Sequence, residues 1–211
     1  MTSLEVRPVQ PADGPDAARI LAHSFERLYN AALGCRPPRS TAVLTALLQQ
    51  GVMPLEHAWI AVVDGSPAGI LVARLGESRP ASWCAWWRAV RSALPLGRAV
   101  RAAVGGWAVQ RLLNRRSRRL PGAHVELLAV DEAHRRRGVA RALLARAFRA
   151  AAESGHHEVT LHVLESNTAA RRLYESEGFA LLAPAGGLAG EIARRLGLPV
   201  PRAMVRKAAQ D

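Results

Sequence analysis

Apolar and polar residues alternate over residues 4–9, the period-two pattern of a short strand. Asp13-Gly14-Pro15-Asp16 then marks a turn and a helix start, with Ile20, Leu21, Phe25 and Leu28 on one face of the helix. The stretch 34–40, rich in Pro and Arg, predicts a loop, and 41–50 a second helix closed by Gly51. Residues 58–63 predict a strand, Asp64-Gly65-Ser66-Pro67 a turn, and 68–74 the returning strand of a hairpin. Trp83, Trp86, Trp87, Val90 and Leu94 then recur at three- and four-residue steps. Val100, Val104, Trp107, Ala108 and Leu112 repeat that spacing, with Gly105-Gly106 weakening the middle. The two runs predict a pair of amphipathic helices whose apolar faces pack on the protein itself; a wall over a binding site and a membrane-surface contact are the alternatives. Beyond them, 125–130 reads as a strand, 137–152 as a helix and 158–164 as a strand. Residues 167–177 form a helix ended by Gly178, and 179–182 open another strand. A short helix at 188–196 and a final strand at 202–207 complete the pattern, which contains no internal repeat.

With 211 residues, 49% of them apolar and 22% charged, the chain is long enough for one domain with a sizeable core. The net charge of +12 raises the question of a nucleic-acid or membrane partner. Its distribution changes that picture. Residues 76–120 carry ten Arg and one acid, Glu77, whereas the rest of the chain is nearly balanced. One strongly basic segment interrupts an almost neutral protein. The N-terminus lacks a secretory pattern, no apolar run approaches the roughly 20 residues of a membrane span, and Cys35 and Cys84 match no metal or redox spacing. A reducing, cytoplasmic location and inert thiols are the expectation.

The chemistry concentrates at residues 129–144, where a strand enters a basic turn, Arg135-Arg136-Arg137-Gly138, and the turn opens a long helix. The first N–H groups of a helix lack internal partners and sit at its positive end, so they form an anion site. Gly138 lets the backbone approach a phosphate, and Ala140 is nearly as small. No Gly-Lys-Ser/Thr follows, so this is not a nucleotide P-loop, and a lone glycine is not a dinucleotide fingerprint. A second string, Asn167-x-x-Ala170-x-x-Leu173-Tyr174-x-x-x-Gly178-Phe179, puts Asn167, Ala170 and Tyr174 on one helix face, about 10 Å from end to end.

Together the two strings resemble the GNAT superfamily of acetyl-CoA-dependent N-acetyltransferases. The first matches Gln/Arg-x-x-Gly-x-Gly/Ala as Arg135-x-x-Gly138-x-Ala140; the second matches Asn-x-x-Ala-x-x-Leu/Phe-Tyr-x-x-x-Gly-Phe. The resemblance covers everything except the basic segment. It implies an α/β (α+β) fold with a central mixed, mostly antiparallel, splayed sheet flanked by helices. The chain would be one N-acetyltransferase domain, 1–211, with 76–120 as a helical insertion before the fourth strand. The donor would be acetyl-CoA, with no metal.

By the same resemblance, the backbone of Leu128, Ala129 and Val130 would hydrogen-bond the pantetheine arm. Arg136, Arg137, Gly138, Val139, Ala140 and Arg141 would cradle the pyrophosphate, with Arg135 beside them. Asn167 would touch the pantetheine, Ala170 would keep the surface low, and Tyr174 would protonate the departing thiolate. Glu126 holds a position where relatives carry a general base, with its flanking residues pointing to the opposite face; His162 holds one where others carry a catalytic carboxylate. A water chain would make neither essential, and His156 and His157 read as solvated. Tyr174 and Asn167 also have plainer readings as a core aromatic and a helix N-cap. The implied reaction is direct attack of a primary amine whose identity the sequence leaves open, a small-molecule amine being favoured over one on a peptide or protein, with a homodimer possible. A non-catalytic acyl-CoA sensor and a nucleic-acid binder using 76–120 are the competing functions.

Overall fold

The computed structural model describes residues 3–53, 55–76, 82–117, 122–182 and 201–207. A seven-stranded sheet runs through the molecule: β1 (Leu4–Pro8), β2 (Ala58–Val63), β3 (Ser66–Arg74), β4 (Ala123–Val130), β5 (Glu158–Leu164), β6 (Ala180–Leu181) and β7 (Pro201–Lys207). Their order is β1-β2-β3-β4-β5-β7-β6, and every neighbouring pair is antiparallel except β4 and β5. One face carries α1 (Gly14–Ser24), α2 (Glu26–Leu33), α3 (Arg39–Gln49), α4 (Trp83–Ala93) and α5 (Leu96–Ser117). The other carries α6 (Val139–Glu153) and α7 (Thr168–Ser176). Each face has its own apolar core because strand residues alternate sides: Ile70 and Val72 join the first, Leu71 and Ala73 the second. The helix expected at 188–196 lies outside the described residues.

Two departures from the sequence pattern matter for the site. The helix expected through Leu28 is broken: Phe25 leaves helical geometry (φ −116°, ψ 30°), so α1 and α2 are separate. In addition, α5 buries a different face from the one its large apolar residues predict. Ala99, Ala102 and Ala103 are fully buried, whereas Val100 and Val104 are 49% and 58% exposed. Small residues explain it. A Cβ on Gly106 would lie 2.6 Å from Trp86 and 2.8 Å from Leu33, and one on Gly105 would run into the Ala32 carbonyl oxygen. The Ala/Gly side therefore lets α5 approach α2 and α4 too closely for valine, and Trp86 Nε1 donates to the Ala103 carbonyl at 3.1 Å across that contact. The two glycines that weaken the helix as a helix are what allow it to dock.

Gly106→Val is accordingly expected to cost about 1–3 kcal/mol through overpacking. Thermal unfolding should register this as a Tm several degrees lower, while Val104→Ala on the outer side stays within about 0.5 kcal/mol of the parent. Equal effects of the two substitutions would contradict the close approach. One smaller expectation also changes: His156 is not simply solvated but donates through Nε2 to the Leu75 carbonyl at 2.6 Å.

Candidate active site

The parallel pair at the centre of the sheet is short. β4 and β5 are matched at Ala123–Val159, His124–Thr160 and Val125–Leu161, and then they part. A bulge in β4 accompanies the parting: Val72 faces Leu127 and Ala73 faces Val125, leaving Glu126 as the extra residue. As a result Val125 joins the α6–α7 core while Leu127 packs against the other, so the two neighbours of Glu126 do not share a face as simple alternation predicts. Past the vertex, the β5-facing edge of Leu128, Ala129 and Val130 has no strand against it among the described residues. These three residues floor a cleft of about 870 Å³.

The basic turn closes one end of that cleft. Asp131 organises its approach: one carboxylate oxygen accepts from the Ala133 N–H at 3.2 Å, and the other takes Arg19 of α1 at 2.6 Å. The Arg19 hydrogen bond holds the Asp131 carboxyl below its ordinary pKa. Arg136 (φ 60°) and Gly138 (φ 79°) both adopt left-handed backbone, so the chain turns sharply twice just before the helix. α6 starts directly after, with no side chain capping its first turn. A Cβ on Gly138 would meet nothing within 4 Å, so the glycine leaves room in the cleft and packs against no neighbour.

The expected cradle is narrower than the run of arginines. Arg135, Arg136, Val139 and Ala140 line the cleft, but Arg137 does not. Arg141 lines it too, with its guanidinium paired to Glu177 at 3.0 Å. The wall opposite is α7. Asn167 accepts from the Ala170 N–H at 3.1 Å, so it is a helix N-cap and a cleft residue at once. Tyr174 is 8% exposed and lines the same cleft. Its ring stands edge-on to Phe179 (5.7 Å), which packs on Phe148 (5.8 Å), over which the Arg206 guanidinium sits at 3.9 Å. Burial pushes the Tyr174 hydroxyl up to about 12, so it stays protonated at neutral pH and has a proton to donate. Ser24 and Phe25 also line the cleft, which the sequence reading missed; the break between α1 and α2 puts them there.

Glu126 and His162 lie outside this cleft, each one residue past the last matched pair of β4 and β5. Glu126 stands 3.8 Å from Arg74, and His162 packs edge-on against His124 with ring centroids 5.2 Å apart. His124, a residue that sequence reasoning did not single out, is 3% exposed. The Thr160 hydroxyl donates to the Ala123 carbonyl at 3.0 Å, so it accepts from His124 Nδ1–H at 2.9 Å, which assigns His124 the Nδ1–H tautomer. Burial above all, then His162 and Arg74, lowers its pKa to about 3. It therefore takes up a proton only in the unfolded chain, so stability falls as pH drops through about 6.5 and stops falling near 3. The expected slope is about 1.4 kcal/mol per pH unit from this one group. Urea titrations between those limits should show that slope flattened in His124→Gln; an unchanged profile would mean that this histidine is not buried neutral.

Among the described residues, no group of three or more His, Cys, Asp or Glu side chains gathers where a metal would bind, and no helix is long and apolar enough to cross a membrane. Curated proteins contain no match to this sequence. Solved structures do match the fold. An acetyltransferase structure superposes with a TM-score of 0.60 at 16% identity, covering 97% of this chain and all of that one. Ard1 from Thermoplasma volcanium gives 0.56 at 19%, covering 98% and 99%. The ribosomal-protein-S18-alanine N-acetyltransferase from Escherichia coli gives 0.52 at 18%, covering 99% and 96%. At such identities these likenesses establish the fold. The family model described as Acetyltransferase (GNAT) family matches residues 23–179, a span that holds the splayed strands, the basic turn and α7. The chain belongs to the GNAT acetyltransferase family, whose acyl donor is acetyl-CoA.

Proposed function

We propose that the protein moves an acetyl group from acetyl-CoA to a primary amine of a small molecule by direct attack, within one catalytic unit. One observation carries this reading: a donor-sized cleft lined by a protonated tyrosine runs along the strand edge just beyond the point where β4 and β5 part. Two residues able to take a proton, Glu126 and His162, stand at that point of parting. The first turn of α6, Arg135 and Arg136 hold the pyrophosphate. The edge of Leu128, Ala129 and Val130, with Asn167, lies along the pantetheine, and Ala170 leaves it space.

Glu126 takes the proton of the acceptor ammonium, since it sits on the strand whose free N–H groups receive the charge developing on the acetyl oxygen. Tyr174 donates to the sulfur as the carbon–sulfur bond breaks. The products are the amide, the free thiol and one proton returned to solvent. His162 orients the acceptor and is the alternative proton acceptor. Residues 76–120 form an insertion that contributes to acceptor choice.

Thiol release from acetyl-CoA across a panel of primary amines tests the activity. Turnover with at least one amine is the expected result. Silence across the panel with acetyl-CoA binding retained would replace this reading with a non-catalytic acyl-CoA sensor. The base is tested separately: Glu126→Gln is expected to lower kcat/KM about 10²-fold and to remove the acidic limb of its pH profile, with His162→Gln losing less than about tenfold. The reverse ranking would move the base to His162.

A further inference from the structure

We propose that the outer face of the α4–α5 hairpin docks on an anionic lipid bilayer. The docking of α5 through its alanines and glycines leaves Leu96, Val100 and Val104 outside, 59%, 49% and 58% exposed. Spaced four residues apart, they form one aliphatic ridge about 12 Å long. Trp83 of α4 is also exposed, and its ring stands edge-on to Trp107 of α5 at 5.4 Å. The described charges exposed on the two helices are all of one sign: Arg88 and Arg91 on α4, Arg98, Arg101 and Arg111 on α5, with Arg101 and Arg111 on the turns next to the ridge. The sequence from residue 78 to residue 125 holds ten arginines and not a single Asp or Glu.

That combination selects the occupant. A second copy of the chain would bring an equally acid-free, arginine-rich face against this one, which like-charge repulsion opposes. A nucleic acid would satisfy the arginines but has no use for an aliphatic ridge. An anionic bilayer takes both. Arginines meet lipid phosphates at the headgroup level, while Leu, Val and Trp enter the boundary with the acyl chains. Among the described residues no helix is long and apolar enough to cross a membrane, so the protein would lie on the bilayer and not span it. The bilayer would then face the side of the sheet on which α1–α5 lie.

Flotation of the full chain with phosphatidylcholine vesicles, with and without phosphatidylglycerol, tests the assignment. At low salt the protein is expected to float with the anionic vesicles at least about tenfold more than with the neutral ones. Val100→Asp with Val104→Asp should lower that partition by about tenfold or more, as should the milder Leu96→Ser with Val100→Ser in proportion. Arg88→Gln and Arg111→Gln should each cost roughly fivefold. Unchanged far-ultraviolet circular dichroism confirms that the variants fold. Two results would overturn the proposal: absence of wild-type flotation with anionic vesicles, or flotation that the ridge substitutions leave untouched, which would mark mere polycation adsorption. Capture of an acidic peptide by this face without any flotation would reassign it to a protein partner.

Discussion

Tyr174→Phe is expected to lower kcat about 10²–10³-fold while leaving the KM for acetyl-CoA within about twofold. The asymmetry follows from what the substitution removes. The phenyl ring keeps its edge-on packing against Phe179, so the wall of the cleft and the fold persist. Only the hydroxyl is lost, which in the proposed reaction acts when the sulfur gains charge. A hydroxyl held near 12 is a weaker acid than a solvent-exposed thiol, so its proposed contribution is a proton held in place where the departing thiolate, itself out of water, needs one. A donor already activated would be less sensitive, so acetyl-CoA analogues with more acidic thiol leaving groups should show a smaller loss in the variant. A kcat unchanged in Tyr174→Phe would reduce the residue to a packing aromatic.

Gly138→Val should act on the other parameter. The KM for acetyl-CoA is expected to rise about 30-fold or more, with kcat at saturation changed by less than about threefold. Two effects combine there. Backbone at φ 79° penalises any L side chain by about 1–2 kcal/mol, and a β-branched one more. The new side chain also enters open space beside the cleft that Gly138 lines, since apart from its own chain neighbours no atom lies within 4 Å of the Cβ position. On the proposed binding mode the pyrophosphate then loses its close approach to the first turn of α6. Isothermal titration with CoA separates this from unfolding: weak binding with a Tm only a few degrees lower is the expected pair. Full-strength binding would locate the anion site elsewhere.

The two predictions rest on residues that a linear reading reaches, and the reason is physical. Arg135-x-x-Gly138-x-Ala140 and Asn167 to Tyr174 each lie within a single turn or helix, where residue spacing alone dictates which groups share a face. The strands and most helices were legible for the same reason: their periodicity is local. Glu126 is different. Its place as the extra residue of a bulge depends on the register of β3 against β4, which nothing near it in the sequence encodes. His124 went unnoticed because an isolated histidine in a strand carries no signal until Thr160, 36 residues on, supplies its hydrogen bond. The position of Ser24 and Phe25 on the donor cleft likewise required the break between α1 and α2.

By itself, then, the sequence determined the order of elements, the basic turn at the start of α6, the tyrosine and the concentration of charge in one segment, since all of these are properties of neighbouring residues. The tertiary structure decided where the strands part, which protonation states burial allows, and which side of the basic helices faces out. The last is the clearest case. Hydrophobicity assigns Val100 and Val104 to the inside, but close packing favours the alanine and glycine side, because two helices approach most tightly where side chains are smallest.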